Sequence, residues 1–135
     1  NGLGHAIGVA ATRPDGGTVL FEGDGGLWMH VQELECIARH GLKMLIVVSN
    51  DGGFGAEIHH LRHDGIDPAH AVFGHGDLAA LAEAFGLDGR RVTGAGQISE
   101  AVRDYRKSDR AMLIDIQASD RVISPMFRRR LEKGH

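Results

Sequence analysis

The sequence predicts an α/β fold: a three-layer domain with a mainly parallel sheet and helices on both faces. Three observations carry that expectation. Segments of strand character alternate with segments of helical period along the chain. Residues 42–49 form an apolar run without alternation, as in a strand covered on both faces. Leu27, Val31, Leu34 and Ala38 recur at helical spacing and share one face.

Each element has its own signal. Residues 6–12 are small and apolar and read as the end of a helix, broken by Arg13-Pro14-Asp15-Gly16-Gly17. Residues 18–22 read as a short strand and 23–26 as a tight turn. A helix is expected over 27–40, with Gly41 as its cap. The apolar strand 42–49 then leads into a glycine-rich loop, 50–55. Residues 56–63 suggest a short helix, and 64–76 show little pattern beyond turn signals at Gly65 and Pro68. A clear helix spans 77–85, with Asp77 near its start. A short strand at 90–93, a helix from 97 or 99 to 108 and a last strand at 111–117 complete the pattern. The tail, 119–135, is mixed and basic at its end.

The 135 residues suffice for one domain with a core of its own, and the mix of apolar and charged residues is that of a globular protein. The net charge of -3 gives no argument for a nucleic-acid partner or an anionic membrane. No apolar run reaches the roughly 18 residues of a membrane helix. No signal-peptide pattern is visible, so the default expectation is cytoplasmic. The single cysteine, Cys36, has no internal disulfide partner and reads as a buried, inert thiol. The chain opens on Asn1 in mid-pattern, so we expect residues 1–135 to be a piece of a longer multi-domain subunit or a processed chain.

Two loops carry the chemistry. Gly23-Asp24-Gly25-Gly26 follows the first strand, and Ser49-Asn50-Asp51-Gly52 ends the second, with 24 residues between Gly25 and Asn50. In open parallel sheets, ligands sit beyond the carboxyl ends of the strands, where both loops belong. Magnesium takes an octahedron of oxygens, often one or two carboxylates plus substrate phosphates. Asp24 offers a carboxylate, Asn50 an amide oxygen and Gly52 a main-chain carbonyl; diphosphate oxygens and a water would complete the shell. Gly25 and Gly26 let backbone amides approach a diphosphate, and a helix start at Leu27 would add free N–H groups.

Gly-Asp-Gly, a spacer of this length and then Asn resembles the signature of thiamine-diphosphate-dependent enzymes. Ala6-Ile7-Gly8 ahead of Arg13-Pro14-Asp15 is similar to the segment leading into that signature in acetolactate-synthase-like members. Met29 with Val31-Gln32-Glu33-Leu34 looks like the helix that follows it. Asp77-Leu78 with Leu81-Ala82-Glu83-Ala84-Phe85-Gly86 resembles a later helix. One departure is Ser49, where members commonly carry a second asparagine.

The resemblance implies the diphosphate-binding domain, usually the last of three in the subunit. Thiamine diphosphate and Mg2+ would be the cofactors. Asp24, Asn50 and the Gly52 carbonyl would hold the metal; Gly23, Gly25, Gly26 and Phe54 would join them around the cofactor. The activating glutamate would lie in a pyrimidine-binding domain, so no catalytic residue is assigned here. The implied reaction is decarboxylation or carboligation of a 2-oxo acid, in a homodimer or homotetramer. Hydroxyketone lyases and oxalyl-coenzyme A decarboxylases share this domain and stay open, as does a non-catalytic magnesium–diphosphate module. A nucleotide-binding Rossmann protein ranks below these, because neither Gly-x-Gly-x-x-Gly nor a Walker loop is present.

Other residues have plainer readings. His59, His60 and His63 suggest zinc by spacing, but without a third ligand a polar helix at the site mouth is favoured, with His59 or His60 near substrate. Trp28 and Met29 read as packing residues. Phe54 fits the cleft and the core equally well. Arg128-Arg129-Arg130 reads as a solvated tail, with a coenzyme A phosphate as the alternative.

Overall fold

The computed structural model describes residues 2–132. The elements run α1 (Gly2–Thr12), β1 (Thr18–Gly23), α2 (Asp24–Trp28), α3 (Glu33–Arg39), β2 (Met44–Asn50) and α4 (Gly55–His63). A 3-10 turn at Ala69–Ala71 precedes α5 (Leu78–Ala84), β3 (Asp88–Val92), α6 (Ala95–Lys107), β4 (Met112–Gln117) and α7 (Pro125–Glu132). The four strands form one parallel sheet in the order β1-β2-β4-β3.

The layers follow from the apolar residues. On one face, Ile46, Val48 and Leu113 pack with Leu3, Ala10, Leu27, Leu34, Ile37 and Leu78 from α1, α2, α3 and α5. On the other, Leu45, Met112 and Ile114 meet Ala101 and Tyr105 of α6. Each fully buried Leu or Ile contributes about 1.5–3 kcal/mol of transfer free energy. β2 and β4 are apolar without alternation because both faces are covered. The second face is covered mainly over β3 and β4. Val19 and Phe21, on the edge strand β1, stay exposed at 49% and 77%.

The sheet, its strands and the helices 56–63 and 77–85 appear within a residue or two of expectation, and β3 begins two residues earlier. Two expectations need correction. The turn expected at 23–26 is instead the cap and first turn of α2, with Gly23 extended as N-cap and Asp24 already helical. The single helix expected over 27–40 is two helices. Between them, His30, Glu33 and Leu34 donate to carbonyls three residues back, which tightens the chain. The His30 ring approaches the Gly26 carbonyl at 3.3 Å, taking the acceptor a continuous α-helix would give to the His30 N–H. Because of this break, Met29 turns outward and is 61% exposed rather than packed; Trp28 is also exposed, and Cys36 is only half-buried. The tail, unassigned in sequence, holds α7.

Candidate functional site

The site forms where β1 and β2 end. Asp24 follows β1 directly, and its side chain is almost fully buried. Its Oδ2 accepts the N–H groups of Gly52 (2.9 Å) and Gly53 (3.1 Å), tying the α2 start to the loop after β2. Burial pushes the Asp24 carboxyl above its ordinary value, and the nearby Asp51 adds to the rise; amides of Gly25 and Gly52 oppose it. A cation beside it would favour the charged form and reverse that rise.

Asn50 is the last residue of β2 and is fully buried. Its Nδ2 donates to the His75 carbonyl (2.7 Å) and to Asp115 Oδ1 (2.8 Å). Two acceptors on that side fix which end of the amide is nitrogen. Asn50 Oδ1 is left buried without a hydrogen-bond partner. An unsatisfied buried acceptor costs about 1–3 kcal/mol, so its orientation calls for a ligand that binds oxygen. A hard cation is such a ligand, and Asp24 and Asn50 provide hard oxygens from adjacent strands.

Gly52 departs from expectation. Its N–H serves Asp24, but its carbonyl accepts from Phe73 N–H (3.0 Å) and Gly74 N–H (2.9 Å). Both lone pairs are therefore engaged in this conformation. The cause is local: the loop lies against residues 71–74 through the Gly53–Val72 bridge and the Phe54 N–H to the Ala71 carbonyl. Gly52 has φ of 80°, and a side chain there would press on the Gly74–His75 backbone.

A cleft of about 440 Å3 opens beside these groups. Gly23, Asp24, Gly25, Gly26 and Phe54 line it, together with Ser49, Asp51 and His59. Asn50 lies beneath rather than in the wall. Phe54 is no core aromatic: it is 40% exposed, edge-on to Phe73 at 5.4 Å. A Cβ on Gly25 would stand 2.7 Å from the Phe54 ring, so glycine lets the wall close here. Ser124 and Phe127, from the tail, form the far wall. Phe127 packs on His60 at 5.0 Å, and Arg62 holds Asp120 at 2.5 Å.

Among the described residues, no group of three His, Cys, Asp or Glu is placed to hold an ion. Arg128, Arg129 and Arg130 are exposed on α7, as a solvated face should be. Sequence reading missed Asp115, His75, Asp51 and Phe127. Asp115 did leave a signal, since a lone carboxylate in an apolar strand must find partners when buried. His75 engages Asn50 twice, accepting its side-chain amide at the main-chain carbonyl and placing ring Nδ1 3.1 Å from the Asn50 carbonyl, a pairing across 25 residues that no local pattern announces.

Comparison with known proteins agrees with this geometry. Residues 1–116 match the family described as thiamine pyrophosphate enzyme, C-terminal TPP binding domain. An alpha-keto-acid decarboxylase of Mycolicibacterium paratuberculosis is 32% identical over 125 residues, covering 90% of this chain and 20% of that protein. The acetolactate synthase isozyme 2 large subunit of Escherichia coli is 28% identical over 121 residues, covering 88% and 22%. A solved structure, the Rhodococcus jostii thiamine diphosphate-dependent 4-hydroxybenzoylformate decarboxylase, superposes with a TM-score of 0.77 at 27% identity, covering 87% of this chain and 23% of that one. The chain thus spans about a fifth of the length of the relatives it matches. With the signature loops at two adjacent strand ends and the family match over most of its length, the chain belongs to the thiamine pyrophosphate enzymes, as their C-terminal cofactor-binding domain of acetolactate-synthase-like type.

Proposed function

We propose that this chain supplies the magnesium- and diphosphate-binding part of the active site of a thiamine-diphosphate-dependent 2-oxo acid decarboxylase or carboligase. The observation that carries the reading is Asn50 Oδ1, buried without a partner while both hydrogens of the same amide are placed. Asp24 and Asn50 would hold Mg2+ through side-chain oxygens. The Gly52 carbonyl would join them once it gives up a bond to Phe73 or Gly74. Gly25 and Gly26 would leave the backbone open to the diphosphate, and Phe54 and Phe127 give the cleft apolar walls. Thiamine diphosphate, when bound, supplies an electron sink for cleavage of the bond beside a ketone carbonyl. The activating carboxylate would come from a pyrimidine-binding domain, in the same or a neighbouring subunit of a homodimer or homotetramer.

The test, on the subunit that carries this chain, is thiamine diphosphate binding and carbon dioxide release from a panel of 2-oxo acids, with and without Mg2+. Asp24→Ala and Asn50→Ala should each weaken Mg2+-dependent cofactor binding at least tenfold, about 1.4 kcal/mol per decade. Unchanged cofactor affinity in both variants would defeat this reading.

A further inference from the structure

β4 reads Met-Leu-Ile-Asp-Ile-Gln, and Asp115 is its only charged residue. The side chain is fully buried between apolar neighbours, a position a carboxylate keeps only with partners. It has three. Oδ1 accepts from Asn50 Nδ2 at 2.8 Å and from Gln117 Nε2 at 2.9 Å. Oδ2 accepts from the Leu78 N–H, at the start of α5, at 3.2 Å. Every one of these partners is a donor, and aspartate offers only acceptors.

We propose that Asp115 is the positioning residue of the metal site: it holds the Asn50 amide so that Oδ1, and never Nδ2, is presented to the cation. The proposal rests on the metal reading of Asp24 and Asn50. Asn50 and Asp115 sit on paired strands, with Val48 opposite Asp115 and Asn50 opposite Gln117, so the contact is set by the sheet register. The His75 carbonyl takes the second hydrogen of Asn50 Nδ2, which closes the clamp. A flipped amide would point Oδ1 at two acceptors and turn Nδ2 to where the oxygen now lies. A cation there would meet hydrogens instead of a lone pair. Asp115→Asn is nearly isosteric, but its new amide has one oxygen for three donors. Its own NH2 must face either the Leu78 N–H or the Asn50 and Gln117 side chains. The first arrangement keeps the clamp and the second flips Asn50, so Asp115→Ala, which removes the acceptor outright, is the decisive variant.

Two measurements test this. Mn2+ binding in the presence of thiamine diphosphate, followed by electron paramagnetic resonance, needs no turnover. Asp115→Ala should weaken it at least tenfold. Selective 15N labelling of asparagine in residues 1–135 reports directly on the clamp, because Asn50 shares them with just one other asparagine, Asn1. In the metal-free wild-type protein the Asn50 side-chain protons should exchange at least tenfold more slowly than those of free asparagine. Asp115→Ala, which adds no asparagine to the labelled spectrum, should remove that protection while the backbone spectrum stays folded. Undiminished Mn2+ affinity in a folded Asp115→Ala variant overturns the proposal. Wild-type Asn50 side-chain protons exchanging like free asparagine overturn it even if the variant does not fold. A wild-type protein that binds no Mn2+ at all overturns the metal reading itself, and this proposal with it.

Discussion

Asn50 can clamp and coordinate at once because the two ends of a carboxamide differ. The nitrogen end is spent on His75 and Asp115, and the oxygen end is left over. Asp24 shows the complementary logic: burial and Asp51 oppose its charge, and a cation beside it would offset them. Tyr105 offers a test at this scale outside the site. Its hydroxyl donates to the Gly16 carbonyl at 2.7 Å, joining α6 to the turn before β1. Burial, and then the Asp15 charge, raise its pKa above the ordinary 10.0. The unfolded chain therefore ionises first. Tyr105 contributes its full stability below about pH 10, and that contribution is lost as pH rises through the folded value. Tyr105→Phe should cost about 1 kcal/mol near neutral pH, the worth of one hydrogen bond. The wild-type advantage should shrink in urea melts above about pH 10; a constant gap across that range would refute the account.

Helices and strands were legible where one local pattern sufficed. Gly41, expected as a cap, has φ of 59°, and the Leu42 N–H reaches back to the Ile37 carbonyl to close α3. Asp77 accepts the Ala80 N–H at the start of α5, as a cap should. The break between α2 and α3 was not legible, because it turns on one histidine ring competing for one carbonyl. Nor was α7, whose Phe127 finds its place only against α4. Close packing of α5 on β3 yields a prediction. A Cβ on Gly89 would land on the Ala79 carbonyl, which is backbone and cannot swing aside. Gly89→Ala should destabilise the fold by about 2–3 kcal/mol. Gly94→Ala, where nothing lies within 4 Å, is the control. Denaturant midpoints decide, and similar values for the two variants would show that the interface yields.

On the scale of the molecule, the sheet order does the assembling. β4 inserts beside β2, so Asp115 meets Asn50 across a separation of 65 residues. The β1–β2 neighbourhood brings the two signature loops to one edge. The walls of the cleft then come from α2, the loop after β2, α4 and the tail. None of these supplies an assigned activating carboxylate. Residues 1–135 expressed alone should therefore show no measurable carbon dioxide release from 2-oxo acids. Sustained turnover by that piece would mean that the activating group lies within it.

The parallel three-layer fold, the strand ends that carry Asp24 and Asn50, and the family are all legible in the residues alone. Apolar runs, helical periods and a two-part signature are written in residue type and spacing, which local physics reads directly. Which end of the Asn50 amide stays free, where the Gly52 carbonyl points, and how Asp115 meets Asn50 and Phe127 meets the cleft emerge only once the chain is folded. Each of these depends on groups brought together from distant segments, by strand register or by helix packing, and neither is encoded in any single stretch of chain.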